Sequence, residues 1–339
     1  MFDRFSLSQK FGLISVAGCL ALGLALGVSA SLQSDGAARL ATEERLTAIA
    51  LDREHALTDY IAQINDDLAT TATNPNTIAA LSEFTEGWQA MGRSPGETLQ
   101  RLYITDNPHP TGAKENLDRA PDTSRYSAIH ARYHPWFRQF LRARGYYDIF
   151  LFDTEGNLVY TVFKELDYAT NLNNGEYRDT DLGRAFRNAV AGADGETHFF
   201  DFRAYSPSHG APASFMATPV NDENGRRIGV LAFQMPIDRL NNVMGAETGL
   251  LETGDAYAFG SDGLLRTAPR FGSSADILNR AVPTAFLEAA SGDTHSFQRI
   301  RDYRGDDAFV LFNPADIAGV HWNLVVTQTT DEALASSRT

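Results

Sequence analysis

Only one cysteine, Cys19, occurs in 339 residues, which leaves no disulfide framework and no cysteine-based zinc site. Lysine is nearly as scarce: Lys10, Lys114 and Lys164 are the three, so arginine carries almost all of the positive charge. Positive charge is itself in deficit, with 29 Lys and Arg against 43 Asp and Glu, a formal net charge of −14. So acidic a chain repels phosphate backbones, which excludes nucleic acid as a partner held by bulk electrostatics. There is no Gly-x-Gly-x-x-Gly, no Walker loop and no nucleophile elbow, and Ser, His and Asp are scattered without a catalytic spacing. No cofactor and no enzymatic activity are therefore expected. What remains, 43% hydrophobic and 21% charged residues, is a globular composition whose length predicts roughly two domains.

One apolar run stands out. Phe11 to Leu32 holds 22 residues without a charge, and about 20 apolar residues span a bilayer core. Arg4 and Lys10 precede it, so the positive-inside rule leaves residues 1–10 in the cytoplasm and exports the chain beyond the run. Cleavage after Val28-Ser29-Ala30, or lipidation of Cys19 in a lipobox-like Val16-Ala17-Gly18-Cys19, are the lesser alternatives. The predicted location is the bacterial inner membrane, with one span and an acidic body in the periplasm. The closing DEALASSRT (331–339) reads as the start of a helix toward a second span, as in a receptor ectodomain.

No proline precedes Pro75, and no glycine falls between Gly36 and Gly87. The pattern predicts one long helix over residues 33–73. Leu57, Ile61, Ile64 and Leu68 step by four, three and four, an a/d seam that predicts a homodimer through this stalk, compatible with a helix packed along its own domain. Further helices are expected at 77–91, at 97–105 and over 124–145, with Pro135 breaking the last so that a new helix restarts there. Strands come next at 148–153 and 158–163 around Thr-Glu-Gly-Asn, then a helix at 181–191 and strands at 199–204, 214–220 and 227–235. After a helix from Pro236 to Met244, a weaker copy appears: strands at 255–260 and 264–267, a helix at 283–290, and strands at 295–302, 308–313 and 321–327. The fold class is α+β, with a mainly antiparallel sheet in each module and helices on its faces. The predicted modules are residues 74–246, distal from the membrane, and 247–330, proximal to it.

The stretches YYDIFLFDTEGNLVYTVFKELDYATNL (146–172), FFDF (199–202) and ASFMATPVNDENGRRIGVLAFQMPIDRL (213–240) resemble the extracytoplasmic double Cache sensor of bacterial methyl-accepting chemotaxis proteins. The resemblance extends over about residues 33–330. It implies two PAS-like modules, a distal one that binds a small ligand and a proximal one that relays occupancy, joined to the membrane by a long helix. Related sensors occur on histidine kinases and nucleotide cyclases, so either output is the alternative. Members that bind amino acids carry Arg-x-Trp-Tyr at the pocket helix. Here Trp136 and Phe137 match the aromatic pair, His134 stands in the place of the Arg, and Gln234 stands in the place of an Asp that would hold an ammonium. The implied ligand is an uncharged or weakly anionic metabolite stacked on Trp136.

The residues themselves leave more than one reading open. Tyr126, Tyr133, Trp136, Phe137, Tyr146 and Tyr147 cluster within 22 residues, as a core or as the wall of a ligand pocket. Arg132 or Lys164 is available for a carboxylate. Lys164, Glu165 and Asp167 close a strand, where charges are ordinarily solvated. Asp201 alternates to the face opposite Phe200 and Phe202, either toward solvent or as a pocket acceptor. His130 and His134 share the i, i+4 spacing of zincins, but Ala131 leaves no catalytic Glu. A metallohydrolase using those two histidines is the alternative from outside the sensor class, and a metal site is not expected.

Overall fold

The computed structural model describes residues 7–292 and 294–335, with the backbone alone at 7–14, 17 and 30–32. Helix α1 (Leu7–Ala72) is continuous through 66 residues, as the absence of internal proline allows. The expected span 11–32 falls partly on residues whose side chains lie outside the described set. Among the described residues no helix is long and apolar enough to cross a membrane.

Asn74 ends α1 and caps α2 (Pro75–Ala90), accepting from the Asn76 amide while Pro75 fills the first turn. Short α3 (Pro95–Gln100) runs into a π-helical turn at Arg101–Thr105. Helix α4 (Arg125–Arg144) begins at a Ser124 cap bonded to the Ser127 amide and ends at Gly145, φ 75°. Pro135 does not break it, contrary to expectation. A proline removes one N–H bond, here to the carbonyl four residues back, but tertiary packing of Tyr133, His134 and Phe137 on the buried side holds the turn in place.

Two antiparallel sheets complete the fold. The distal sheet contains β1 (Asp148–Asp153), β2 (Leu158–Thr161), β3 (His198–Tyr205), β4 (Ala211–Asn221) and β5 (Arg227–Gln234), in the order β2-β1-β5-β4-β3. Helix α5 (Asp181–Ala191) lies between β2 and β3, and α6 (Ile237–Met244) leads out of the module. The proximal sheet contains β6 (Asp255–Gly260), β7 (Ser296–Arg301), β8 (Asp307–Ile317) and β9 (Val320–Thr329), in the order β6-β9-β8-β7, with α7 (Thr284–Ala289) between β6 and β7 and α8 (Thr330–Ala335) after β9. Three of the hairpins turn on Asp-x-x-Gly: Asp153, Asp222 and Asp302 each accept backbone amides of the turn that they open, and Gly156, Gly225 and Gly305 take φ of 78–90°. The strand expected at 264–267 does not form. It makes only single bridges, Phe259 to Leu265 and Leu264 to Ala281, because Arg266 turns aside to hold Asp262 and Asp201.

Helix α1 runs along both sheets, against β4 and β5 of one and β8 and β9 of the other. The seam residues Leu57, Ile61, Ile64 and Leu68 are 0–3% exposed within this core. These four therefore cover the chain's own sheets and cannot be the contact between two copies. An a/d pattern marks one buried stripe and does not say whose surface buries it. Arg53 ties the helix to the connector between the modules by donating to the carbonyls of Ala246 (2.8 Å) and Thr248 (3.1 Å).

Candidate functional site

The distal sheet separates two polar clusters. Ile149, Leu151, Leu231 and Phe233 face α1, α2 and α4, whereas Phe150, Phe152, Val230 and Ala232 face α5.

On the helix side, polar atoms sit in an aromatic packing of Phe84, Tyr103, Tyr126, Tyr160 and Tyr168. Tyr126 donates to the Val159 carbonyl (2.6 Å) and meets the Tyr168 hydroxyl at 2.8 Å. The His134 Nε2 lies 2.6 Å from the Glu115 carbonyl, which can only accept, so Nδ1 accepts from the Tyr160 hydroxyl at 2.7 Å. His130 stacks on His134 with 4.3 Å between ring centres and donates from Nδ1 to the Asp118 carbonyl (2.6 Å). Burial, with the Lys164 ammonium nearby, holds both imidazoles well below the ordinary histidine value, so both are neutral. Lys164 itself is 1% exposed and has φ 61°. Its ammonium donates to the carbonyls of Thr161 and Val162 and faces the rings of Tyr160 and Tyr103, and burial pulls it down to about 7. These bonds are local and structural.

On the α5 side, carboxylates gather. Asp148 opens β1 and accepts from the amides of Ile149, Val162 and Phe163 and from the Thr161 hydroxyl at 2.5–3.0 Å. Burial pushes it up to about 8 against that pull. Glu165 accepts from the hydroxyls of Tyr147 and Ser208 and is raised by burial. Asp167 accepts from Tyr205 through Oδ2 at 2.6 Å, and burial raises it to about 7. Its Oδ1 is buried with no partner among the described residues, as is Oε1 of Gln234, which stands cross-strand from Asp148 and Phe215. Unpartnered buried acceptors are rare in native proteins and ask for a donor from elsewhere. Next to them opens a cleft of about 210 Å³. It is lined by Asp181 and Arg184 of α5 and by Arg203, Tyr205, Ala213 and Phe215 of the sheet. Tyr205 belongs to both, lining the cleft and donating to Asp167.

The ten residues singled out in the sequence do not form one pocket. Tyr126, His134, Phe137 and Lys164 belong to the closed helix-side packing. Arg132 is exposed and pairs with Glu83 at 2.8 Å, to which Tyr133 also donates. Trp136 stacks on Phe140, which contacts Phe233, so it lies across the sheet from Gln234. Neither Arg132 nor Lys164 is free for a carboxylate. Only Tyr147 and Gln234 reach the α5-side cluster, through Glu165 and across from Asp148. Asp201 is in a third place. A bulge sets Asp201 and Phe202 against the single residue Ser214, so both side chains turn to the proximal module instead of alternating. Asp201 accepts from Trp322 Nε1 (3.0 Å) and Arg266 (2.9 Å). Sequence reading missed Asp148 and Tyr205 and took Glu165 and Asp167 for solvated charges. The signal available was Asp148 at the mouth of the wholly apolar run Ile149–Phe152, a position that buries whatever occupies it.

A family model described as Cache domain matches residues 37–337. No curated protein matches this chain. The extracellular domain of a histidine kinase, 11% identical, covers 91% of this chain and 96% of its own, with a TM-score of 0.52. That likeness carries the fold alone. The ligand-binding domain of the Pseudomonas fluorescens chemoreceptor CtaA, solved with L-serine, is 17% identical over 80% of this chain and 98% of its own, with a TM-score of 0.41. An extracellular ligand binding receptor from Desulfohalobium retbaense is 15% identical over 77% of this chain, TM-score 0.40, and this chain covers 39% of that one.

Proposed function

The chain belongs to the Cache domain family, and we propose that it is the ligand-sensing region of a membrane-anchored bacterial chemoreceptor, held at the inner membrane by residues 11–32 with its body in the periplasm. The family match over residues 37–337 carries this reading. The ligand enters the cleft beside α5, and its donors reach Asp167 Oδ1 and Gln234 Oε1. Three carboxyl groups crowd that side of the sheet, and the two arginines that line the cleft, Arg184 and Arg203, are both paired with Asp181, so an anionic ligand is disfavoured. The ligand proposed is a small uncharged molecule bearing hydroxyl or amide donors. Binding shifts the population between two arrangements of the distal module, and α1 passes the difference toward the membrane.

A thermal-shift screen of neutral polyols and amides, beside carboxylates and amines, tests the ligand class. Stabilisation by a neutral compound that Asp167→Asn reduces at least tenfold in affinity is the expected result. A carboxylate that binds Asp167→Asn as well as the native chain would overturn it. The dimer is proposed on the outward side of α1, where Leu40 and Leu51 are 62% and 43% exposed and Glu44, Ala48 and His55 share their face. Cysteine at position 51 should crosslink in membranes and cysteine at position 61 should not. A histidine-kinase or cyclase output would leave every part of this reading but the last step in place.

A further inference from the structure

We propose that strand β3 couples the distal ligand cleft to the proximal module, with Asp201 as its latch, an inference that rests on the cleft proposed above for its physiological input. Three observations meet on this one strand. Arg203 and Tyr205, at its C-terminal end, line the cleft. Two residues before Arg203 a bulge interrupts the ladder: Phe200 pairs with Phe215 and Arg203 with Ala213, leaving Asp201 and Phe202 opposite Ser214. A bulge of this kind bends its strand and re-aims its side chains. Here both bulged side chains meet the same proximal residue. Phe202 lies 6.4 Å from the Trp322 ring, and Asp201 Oδ1 accepts from the Trp322 indole at 3.0 Å.

The latch is built on the proximal side as well. Trp322 is 0% exposed. The Arg266 guanidinium, 4% exposed, gives Asp201 two bonds (2.9 and 3.0 Å) and is gripped from its other edge by Asp262 at 3.0 Å. It lies against Gly260 so closely that a Cβ there would fall 2.2 Å from it. A planar cation held between two carboxylates in a fixed fork has a defined orientation. It therefore responds to a displacement of Asp201 by moving with it or by breaking. Ser214, the residue opposite the bulge, has a buried hydroxyl with no partner among the described residues, and a bulge leaves its extra residue outside the regular ladder bonds. Movement at Tyr205 thus reaches Asp201, four positions earlier on the same strand, whose ladder is interrupted at the latch.

The test needs no ligand. The full chain in detergent, with its three tryptophans replaced by 5-fluorotryptophan, gives one fluorine resonance for each, and Trp322→Phe assigns Trp322. Tyr205→Phe perturbs the cleft by removing the donor to Asp167. The expected result is a shifted Trp322 resonance in the native background and less than one fifth of that shift when Asp201→Asn is also present. An unshifted Trp322 in folded Tyr205→Phe, or a shift of equal size with Asp201→Asn, would overturn the proposal. If Asp201→Asn does not fold, Arg266→Gln replaces it with the same two outcomes. A ligand screen without hits would count against the sensor reading and leave this result untouched.

Discussion

The two sheets repeat one plan with one omission. The distal order β2-β1-β5-β4-β3 maps onto the proximal order β6-β9-β8-β7 once β2 is removed. Asp148 and Asp255 open equivalent strands, and each sits opposite the end of a central strand, Gln234 in one case and Thr327 in the other. Both aspartates are buried and raised. Their partners differ. Asp148 is filled by the end of β2 and the residues after it, whereas Asp255 takes the Arg270 amide (2.8 Å) and the Tyr303 hydroxyl (2.5 Å). The distal β2 also delivers Lys164, Glu165 and Asp167 to the sheet, whereas residues 264–267, beside β6 in the proximal module, make only single bridges. Adding one edge strand to a common sheet brings in a set of charges, and the unfilled acceptor on Asp167 is among them.

The comparison breaks most visibly where packing is densest. Trp322→Ala in the proximal module should lower the unfolding free energy by about 3–5 kcal/mol, since a large side chain is lost from a closed core. In denaturant titration, Trp136→Ala in the half-buried distal position should lose clearly less. The two aspartates come next. Asp148→Ala strands the amides of Ile149 and Phe163 and the Thr161 hydroxyl, since the Val162 amide keeps the Ile149 carbonyl, and Asp255→Ala strands the Arg270 amide and the Tyr303 hydroxyl. At about 1 kcal/mol or more per stranded group, the distal variant should lose more, and equal losses would end the difference argued from their partners.

A third difference is in pH. Asp167 and Asp148 are raised in the folded chain, to about 7 and about 8. Between their unfolded values near pH 4 and these values the native state binds more protons, so their contribution falls as pH rises. Lys164 is lowered to about 7. From there to its unfolded value near 10.5 the unfolded chain binds more protons, and this contribution rises with pH. Melting temperature against pH should fall from about pH 4, then level or turn upward above about pH 8. Lys164→Met should remove the upper limb, and Asp167→Asn should flatten the lower one. The smallest effect is at the surface. Arg132 and Glu83 form an exposed pair, so Arg132→Ala should change stability by less than about 1 kcal/mol.

Most of the architecture was legible in the sequence, because period and turn chemistry act locally. The Ser124 and Gly145 ends of α4 and the Asp-x-x-Gly turns needed no knowledge of tertiary contacts. The repeated order of strands was visible too. Pro135 and residues 264–267 were misread for one reason: in both cases contacts from elsewhere overrode a local preference. The site was least legible. Trp136 and Gln234 each belong to plausible pocket segments, but strand alternation sends neighbouring residues to opposite faces, so Phe233 joins the helix side and Gln234 does not. The bulge at Asp201 leaves no mark in composition, and it puts Phe202 on the same side as Asp201 where alternation would separate them.

Helix α1 has a consequence for how the chain folds. Its middle stretch is covered by strands close to the other end of the sequence: Arg45 bonds to Gln328, and Glu54 accepts from Asn313 at 2.7 Å. These contacts span 283 and 259 residues. During synthesis the stretch of α1 holding Leu46, Ile49 and Ala50 waits, uncovered, until β8 and β9 emerge, whereas its stretch from Leu57 to Leu68 meets the distal sheet much earlier. Closing so long a loop is entropically slow. The distal module is therefore expected to be protected first in pulsed hydrogen exchange, with residues 46–50 of the helix docking last.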